Sequence, residues 1–578
     1  MKLNQIFFVL LMYPMLIGSP CCLAEAYGSR DYTTSIPAEK NAVLYCNDLQ
    51  ADIHITGQAA GEIVAAVHVE VKNGNEKIIN RFLDETRITL ETCRDGYELM
   101  IDYPVKTRRE SYVQLGDVVN KLLFNEKQIS SAVTVELKVP RQINLDISNA
   151  YGDVRVDQVD GEMDLENQSG KVEVNGCKGQ LSVHNEYALV LVNNFKGDVD
   201  IENPNGEISL KTVTGPVQLE NSYKSIEFKD IEGDVEIEGS SSEVRGEGVT
   251  GNCTIATSYK AVDLRDIKGI LNVNNASGEV YARQIGSHVV IENSYKTVSV
   301  DSVAGDVQID GGSSPVSVKR VTGRVSISSS YKEIAVTDVG GSLSIESDSS
   351  PVRASQIQGD VQIRSSYKDI EVIGCKGTVD IDGSSCLVTV KNAGKHVGII
   401  SSYKPVLVSD VTGDVVVESS SADVTVKQVP GNCSIVTSYK PVIVENIGGD
   451  LSVDGSSCSV QASGVNGDVE IVNSYKYVIL KGTSGSIQIR GDSSPVDISE
   501  IKQLPKGGSI DVETSYKQIL LKLPSTANVA IEAESEYGRI ESDFPIYMNS
   551  NAREKKGKSG GEFLISLKTS HDIKILKE

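Results

Sequence analysis

Tryptophan is absent from the 578-residue chain, which holds only 8 phenylalanines, 6 methionines and 6 histidines. With aromatics at 5%, a core of large interlocking rings is excluded, and any core must be assembled from small aliphatic side chains. No stretch beyond the N-terminal region approaches the ~18 continuous apolar residues of a membrane helix. A basic surplus is also lacking. The 79 acidic residues outnumber the 56 Lys and Arg, and a net charge of −23 excludes the concentrated basic face that nucleic acid requires. The ten cysteines form no CxxC and no His/Cys spacing suited to a metal.

The first 26 residues, MKLNQIFFVLLMYPMLIGSPCCLAEA, carry one lysine, an apolar run and a small-residue Ala24-Glu25-Ala26 pattern. They predict a secretory signal peptide cleaved after Ala26, hence an exported, periplasmic or cell-surface protein. Cys21 and Cys22 raise the alternative of a lipid anchor, but Gly18-Ser19-Pro20 is a poor lipobox. In an oxidising compartment Cys46 and Cys93 are candidates to pair.

What the chain does have is glycine, 51 of them, and short Val/Ile pairs alternating with Ser, Asp, Asn and Gly. A repeat dominates. Tyr151, Tyr187, Tyr223, Tyr259, Tyr295, Tyr331, Tyr367, Tyr403, Tyr439 and Tyr475 follow one another at a constant interval of 36. From Tyr223 onward each stands between Ser and Lys, and Tyr516 continues the series after a five-residue insertion at QLPKG. The 36 is two 18s: adding 18 to Val406, Val408, Val411, Val415 and Val417 reaches Val424, Val426, Val429, Cys433 and Ile435. Each 18-residue unit reads as two short half-buried strands around a Gly-Asp turn, as in PVLVSDV and TGDVVVES, with the glycine expected to supply a positive φ. One unit cannot bury its apolar face alone, but stacked copies can.

The predicted fold is therefore all-β, a parallel β-solenoid (β-helix) of 18-residue coils paired into 36-residue repeats over 141–545. A β-rich N-terminal cap region, 27–140, precedes it, with strand-like runs ADIHITG, EIVAAVHVEV and YELMIDYPV and helical patterns at NEKIINRFLDETR and DVVNKLLFNE. Residues 546–578 are expected to be a flexible segment followed by closing strands.

Reactive constellations are hard to find. Gly246-x-Gly248-x-x-Gly251 satisfies a dinucleotide fingerprint as a string, but a strand-like NCTIATSYK follows where a helix is required. His288 and His396 share a turn position but lie six coils apart, roughly 29 Å, so they read as solvated turn residues. Asp198, Asp234, Asp306, Asp360, Asp414, Asp450 and Asp468 follow turn glycines, without the G-G-x-G-x-D nonapeptide of a calcium roll, and read as turn stabilisers. Cys253 and Cys433 take the place of Val415, and Cys177 and Cys375 that of Val411, as small buried hydrophobes. No catalytic residue, metal site or cofactor is indicated.

Three stretches, ISNAYGDVRVDQVDGEMDLENQSGKVEVNGCKG (147–179), ESEYGRIESDFPI and GGEFLISLKTSHDIKILK, resemble the bacterial adhesin-like family of β-strand-repeat proteins, also called toast-rack domains. The resemblance implies an exported or membrane-associated solenoid with surface adhesion or an envelope role, and brings no catalytic residues. The expected function is thus a non-enzymatic adhesin-like repeat protein whose partner is a surface glycan or an envelope protein. The alternatives are a polysaccharide-active β-helix enzyme and an envelope-stress or signalling module. Lys224, Lys260, Lys296, Lys332, Lys368, Lys404, Lys440 and Lys476 are the candidate recognition row, about 10 Å apart if every second coil contributes one. Strand alternation carried through Cys433, Ile435 and Thr437 brings Tyr439 inward. The tyrosines are therefore expected to fill a corner of the core, each hydroxyl bonding the polar residue two before it, such as Asn221, Thr257 or Asn293, with the lysines outside.

Overall fold

A computed structural model describes residues 26–74, 76–103, 130–551, 554–558 and 560–578. Residues 1–25 of the expected signal and the second expected helix, DVVNKLLFNE, lie outside them. The chain divides into two compact units, residues 1–170 and 171–578. Among the described residues there is one helix, Glu76–Glu85, and otherwise strands.

In the first unit Glu62–Gly74 runs antiparallel to both Ala26–Pro37 and Ser130–Pro140. The helix follows from the i, i+3, i+4 spacing of its apolar residues, which bury Ile79, Phe82 and Leu83. It packs so close to the first strand that a Cβ at Gly28 would meet Ile79 Cγ2 at 2.5 Å. Coils begin earlier in space than in sequence. Val43–Leu49 lies between Gly96–Asp102 and Asn144–Tyr151, and Asp52–Gln58 lies between Ser130–Pro140 and Val154–Asp157, all parallel. An early segment of the expected cap is thus itself a coil. The 18-residue step starts with Leu145 beneath Met163.

The second unit is a parallel β-solenoid. Each coil contributes one strand to each of two sheets, and up to the QLPKG insertion strand residues stand beside the residue 18 further on. Val406 pairs with Val424 and Val408 with Val426 in one sheet; Val415 pairs with Cys433 and Val417 with Ile435 in the other. Val406, Val408, Val411, Val415 and Val417 are all fully buried or within 2% of it, as are their counterparts. Each such side chain contributes about 1.5–3 kcal/mol of burial, most of which offsets chain entropy. The skip from Val408 to Val411 needs one extra residue, and Asp410 provides it with φ 58°; Asp230, Asp266, Asp338 and Asn446 do the same in their coils. The QLPKG insertion is absorbed without disturbing the ladder, as Ile487 pairs with Ile510 and Val496 with Ile519.

The turn glycines Gly197 and Gly215 have the expected positive φ, at 133° and 143°, but later turn glycines have a different cause. Gly413 and Gly431 are not in the positive-φ region. They are glycines because successive turns touch: a Cβ at Gly431 would lie 2.6 Å from both Gly413 O and Asp414 Oδ1.

The C-terminal strands do not simply close the stack. Phe563–Thr569 lies between Ser509–Thr514 and Val529–Ser535, and Ile573–Lys577 lies between Ile519–Leu523 and Ile540–Ser542. The last coil in sequence is the last but one in space, held on both faces. Truncating the chain before Gly560 therefore removes both partners that the coil 529–542 uses toward the array. Hydrogen exchange measured by mass spectrometry should show protection lost in 529–542 and retained in 316–447.

Candidate functional site

The expected inward tyrosines are on the surface. Tyr151 is 60% exposed, Tyr403 69%, Tyr439 70% and Tyr475 63%, and the rest of the series falls in the same range. The alternation resets at the corner. After Cys433, Ile435 and Thr437 the next buried residue is Val442, and Ser438 to Pro441 swing outward. On the neighbouring coils the buried run goes Val415, Val417, Ser419 and then Ala422, so a small residue, rather than Ser421, turns in.

This alternation is the physical basis of the 36-residue period. Ser242, Ser314, Ser350, Cys386, Ala422, Cys458 and Ser494 are fully buried, one on every second coil, with the buried Gly278 in the place between Ser242 and Ser314. Room for them is made three residues earlier on the same coil. A Cβ at Gly239 would meet Ser242 Cβ at 3.3 Å, one at Gly383 would meet Cys386 Cβ at 3.3 Å, and one at Gly455 would meet Cys458 Sγ at 2.2 Å. On the tyrosine coils the same inward position carries Asn221, Thr257, Asn293, Ser329, Ser365, Ser401, Thr437 or Asn473, all buried.

Those polar residues bond the corner backbone, not the phenol. Asn221 Nδ2 donates to Asn203 O (2.8 Å) and Gly206 O (2.7 Å), while its Oδ1 accepts from the N–H groups of Tyr223 (3.0 Å) and Lys224 (2.9 Å). Ser242 Oγ lies 2.9 Å from the same Oδ1. Above it Thr257 Oγ1 donates to Ser242 O at 3.1 Å, and further along Ser329 Oγ donates to Ser314 O at 2.9 Å and Ser350 Oγ to Ser329 O at 3.2 Å. A hydrogen-bonded polar stripe thus runs inside one corner and presents each Ser-Tyr-Lys outward.

All eight lysines of the candidate row are exposed. None has a carboxylate within 4.0 Å among the described residues. Several other exposed cations of the array are paired, although Lys211, Lys319, Lys376, Lys391 and Lys395 are, like the row, without a carboxylate within 4.0 Å. Lys427 pairs with Glu445 at 2.9 Å, Arg324 with Asp306 at 3.2 Å, Arg364 with Glu346 at 3.2 Å, and Arg283 with Asp263. In a chain with 79 acidic residues, the Ser-Tyr-Lys row is left without counter-charge.

The other sequence candidates have structural employment. Turn aspartates accept the N–H of the residue 18 further on: Asp234 from Asn252 at 2.6 Å, Asp306 from Arg324 at 2.7 Å, Asp360 from Thr378 at 2.8 Å, Asp414 from Asn432 at 2.7 Å. Asn252 and Asn432 take the same role toward Ile270 and Asp450. His288 is a further member, its Nδ1 accepting from Asp306 N at 3.0 Å, a role the sequence reading of a solvated turn residue missed. These backbone bonds hold the Asp306 and Asp360 carboxyls below the ordinary aspartate value. The three glycines of the nucleotide-like string serve three separate purposes. Gly246 makes room for the Phe228 ring, Gly248 takes φ 76°, and Gly251 stacks on the turn below.

Cys46 and Cys93 are both free thiols, which corrects the expected pairing. Cys46 points into the core at 0% exposure, whereas Cys93 acts electrostatically on Tyr45, the neighbour that faces the opposite side of the strand. Cys253 and Cys433 are buried as expected, and burial pushes their thiols up to about 12.

A groove of about 520 Å³ beside the corner is lined by Glu202, Glu220 and Glu238, stacked on successive coils. Partial burial first, then Glu202 and Glu238, raise the Glu220 carboxyl. The carboxylates lie in a row and do not converge, and among the described residues no group of three or more His, Cys, Asp or Glu is placed to hold a metal ion. Comparison with protein-family models, curated proteins and solved structures finds no significant match.

Two outcomes are expected. Asn221→Ala strips partners from two amides, two carbonyls and the Ser242 hydroxyl. It should cost about 1–3 kcal/mol, read as lost amide protection across 203–242 with little change in 316–447. For the turn ladder, a folded pKa below the unfolded one means stabilisation that is present above about pH 4 and lost as pH falls through the depressed value. Asp360→Asn keeps an acceptor but removes the titration, so its unfolding midpoint should match the parent at neutral pH and fall less steeply in acid.

Proposed function

We infer that this is a non-enzymatic, exported, adhesin-like repeat protein that displays the Ser-Tyr-Lys corner of its solenoid to a cell surface or envelope component. The observation that carries this reading is the row of exposed tyrosines, each followed by a lysine without a counter-ion, repeated at every second coil. A periodic face suits a periodic partner, because each added repeat makes the next contact effectively intramolecular. The row sets unpaired positive charge at a regular two-coil spacing on a chain of net charge −23, and electrostatic complementarity would favour an anionic partner there. Neither the polysaccharide-cleaving nor the signalling alternative is favoured by a specific feature of the structure.

Exchanging Lys332, Lys368, Lys404, Lys440 and Lys476 together for Ser leaves the buried ladder untouched. Attachment of the protein to bacterial cells or isolated envelope should fall severalfold, and the remaining attachment should lose its salt dependence. Attachment unchanged at every ionic strength would refute the corner as the contact face.

A further inference from the structure

Six of the corner tyrosines, Tyr516 included, occupy backbone that disfavours them, whereas Tyr151, Tyr187, Tyr223, Tyr295 and Tyr403 do not. Tyr259, Tyr331, Tyr367, Tyr439 and Tyr475 have φ of 64°, 70°, 70°, 69° and 72°. At Tyr259, Tyr367, Tyr439 and Tyr475 the following lysine N–H donates to the preceding serine carbonyl, at 2.8, 3.1, 3.0 and 3.0 Å, closing a three-residue turn. Such a turn is strained for any L residue and more so for a bulky one. The chain has another positive-φ position in every coil, and there it uses glycine or polar residues, from Asp230, Asp266 and Asn446 to the longer Gln284, Arg320 and Gln428, and no aromatic ring among the described residues. At the corner it uses tyrosine every time, although the ring is mostly in solvent and fills nothing inside. Strain kept against an easier alternative points to what the ring does outside.

One stretch of the row has a further property. Three residues before Tyr403, Tyr439 and Tyr475 stand Ile400, Val436 and Val472, with 53%, 46% and 44% of their surfaces exposed. On the intervening coils the same column carries Glu418 and Asp454, so it reads Ile400, Glu418, Val436, Asp454, Val472. Here each phenol has an apolar side chain before it in sequence and an unpaired lysine directly after it, Lys404, Lys440 or Lys476. Apolar and acidic residues alternate with a period of two coils, ~9.6 Å at a strand spacing of ~4.8 Å.

We propose that the stretch from Ile400 to Lys476 binds an extended, linear polysaccharide in which acidic and neutral sugars alternate, one carboxylate per disaccharide. This rests on the corner being the contact face and names the ligand class for it. Two sugars of an extended β-linked chain cover about the span of two coils, so ligand and protein stay in register over several repeats. The apolar face of one sugar lies on each ring and its neighbouring Ile or Val, as amphipathic aromatic side chains favour. The uronate meets the lysine, and the hydroxyls of the neutral sugar donate to Glu418 and Asp454. A polymer charged on every sugar would place a carboxylate against those two acids in each repeat, and a neutral one would leave the lysines unused. A second copy of this chain shares the period, but its own lysine row makes it a poorer complement.

The test uses the full chain and hyaluronan oligosaccharides of increasing length, with oligogalacturonates and cello-oligosaccharides of matched length as controls, all by titration calorimetry. Affinity for hyaluronan should climb with each added disaccharide up to the length of the stretch, weaken with salt, and exceed both controls. The double variant Tyr439→Gly, Tyr475→Gly should lose severalfold or more in affinity, because two linked contacts go together. Its melting temperature should hold or rise, since glycine accepts the positive φ without strain. Tyr→Phe at the same positions should keep most of the binding. The proposal is overturned if hyaluronan does not bind, if oligogalacturonate binds equally well, or if the glycine variant melts earlier with its affinity intact. It is equally overturned if sedimentation shows self-association that the glycine variant abolishes while no glycan binds. Cell attachment that persists through the lysines without hyaluronan binding would sink this ligand and leave the adhesion reading standing.

Discussion

The parallel ladder at a step of 18 residues is the constraint from which the rest follows. Once Val406 stands on Val424 and Val415 on Cys433, every side chain of a coil has a fixed neighbour at one strand spacing above and below. Like residues then stack on like. Turn aspartates become acceptors for the next turn, turn glycines are imposed by contact, and a choice made once, such as Ser-Tyr-Lys, becomes a row. The same rule has a cost where charges repeat, as in Glu202, Glu220 and Glu238, where burial and like neighbours raise the middle carboxyl.

The doubling to 36 shows how such a stack solves a local crowding problem. One corner has room for a single inward side chain per layer. The chain alternates Gly239 plus Ser242 with Asn221 or Thr257, so that a small residue on one coil meets a longer polar one on the next. The hydroxyls of Ser314 and Thr437 find no partner among the described residues, so the stripe is held mainly by its asparagines and by serine bonds to backbone carbonyls. With the interior filled in this way, the Tyr-Lys pair is free to face outward.

Fold class was legible because period 2 within strands and period 18 between them are both written in Val and Ile positions, and burial enforces them. The five-residue insertion could be located for the same reason. Orientation at the corner was not legible. Alternation holds only while the backbone stays extended, and Tyr439 follows a reset that depends on φ 69°, a value no residue type but glycine announces. The unpaired state of the lysine row was likewise hidden, since it depends on which carboxylates lie across coils. Where the C-terminal strands insert was hidden too, because a slot between two coils leaves no mark on either one.

That slot has a consequence for how the molecule is made. A solenoid whose coils stack in order of synthesis could grow steadily as the chain emerges, each new turn templated by the one before. Here the turn formed by 563–577 belongs beneath one that was translated earlier. The coil 529–542 has no array neighbour of its own to settle on until residues 563–577 arrive. Completion of this part of the stack is therefore tied to the arrival of residues 563–577, and the order of assembly departs from the order of the chain.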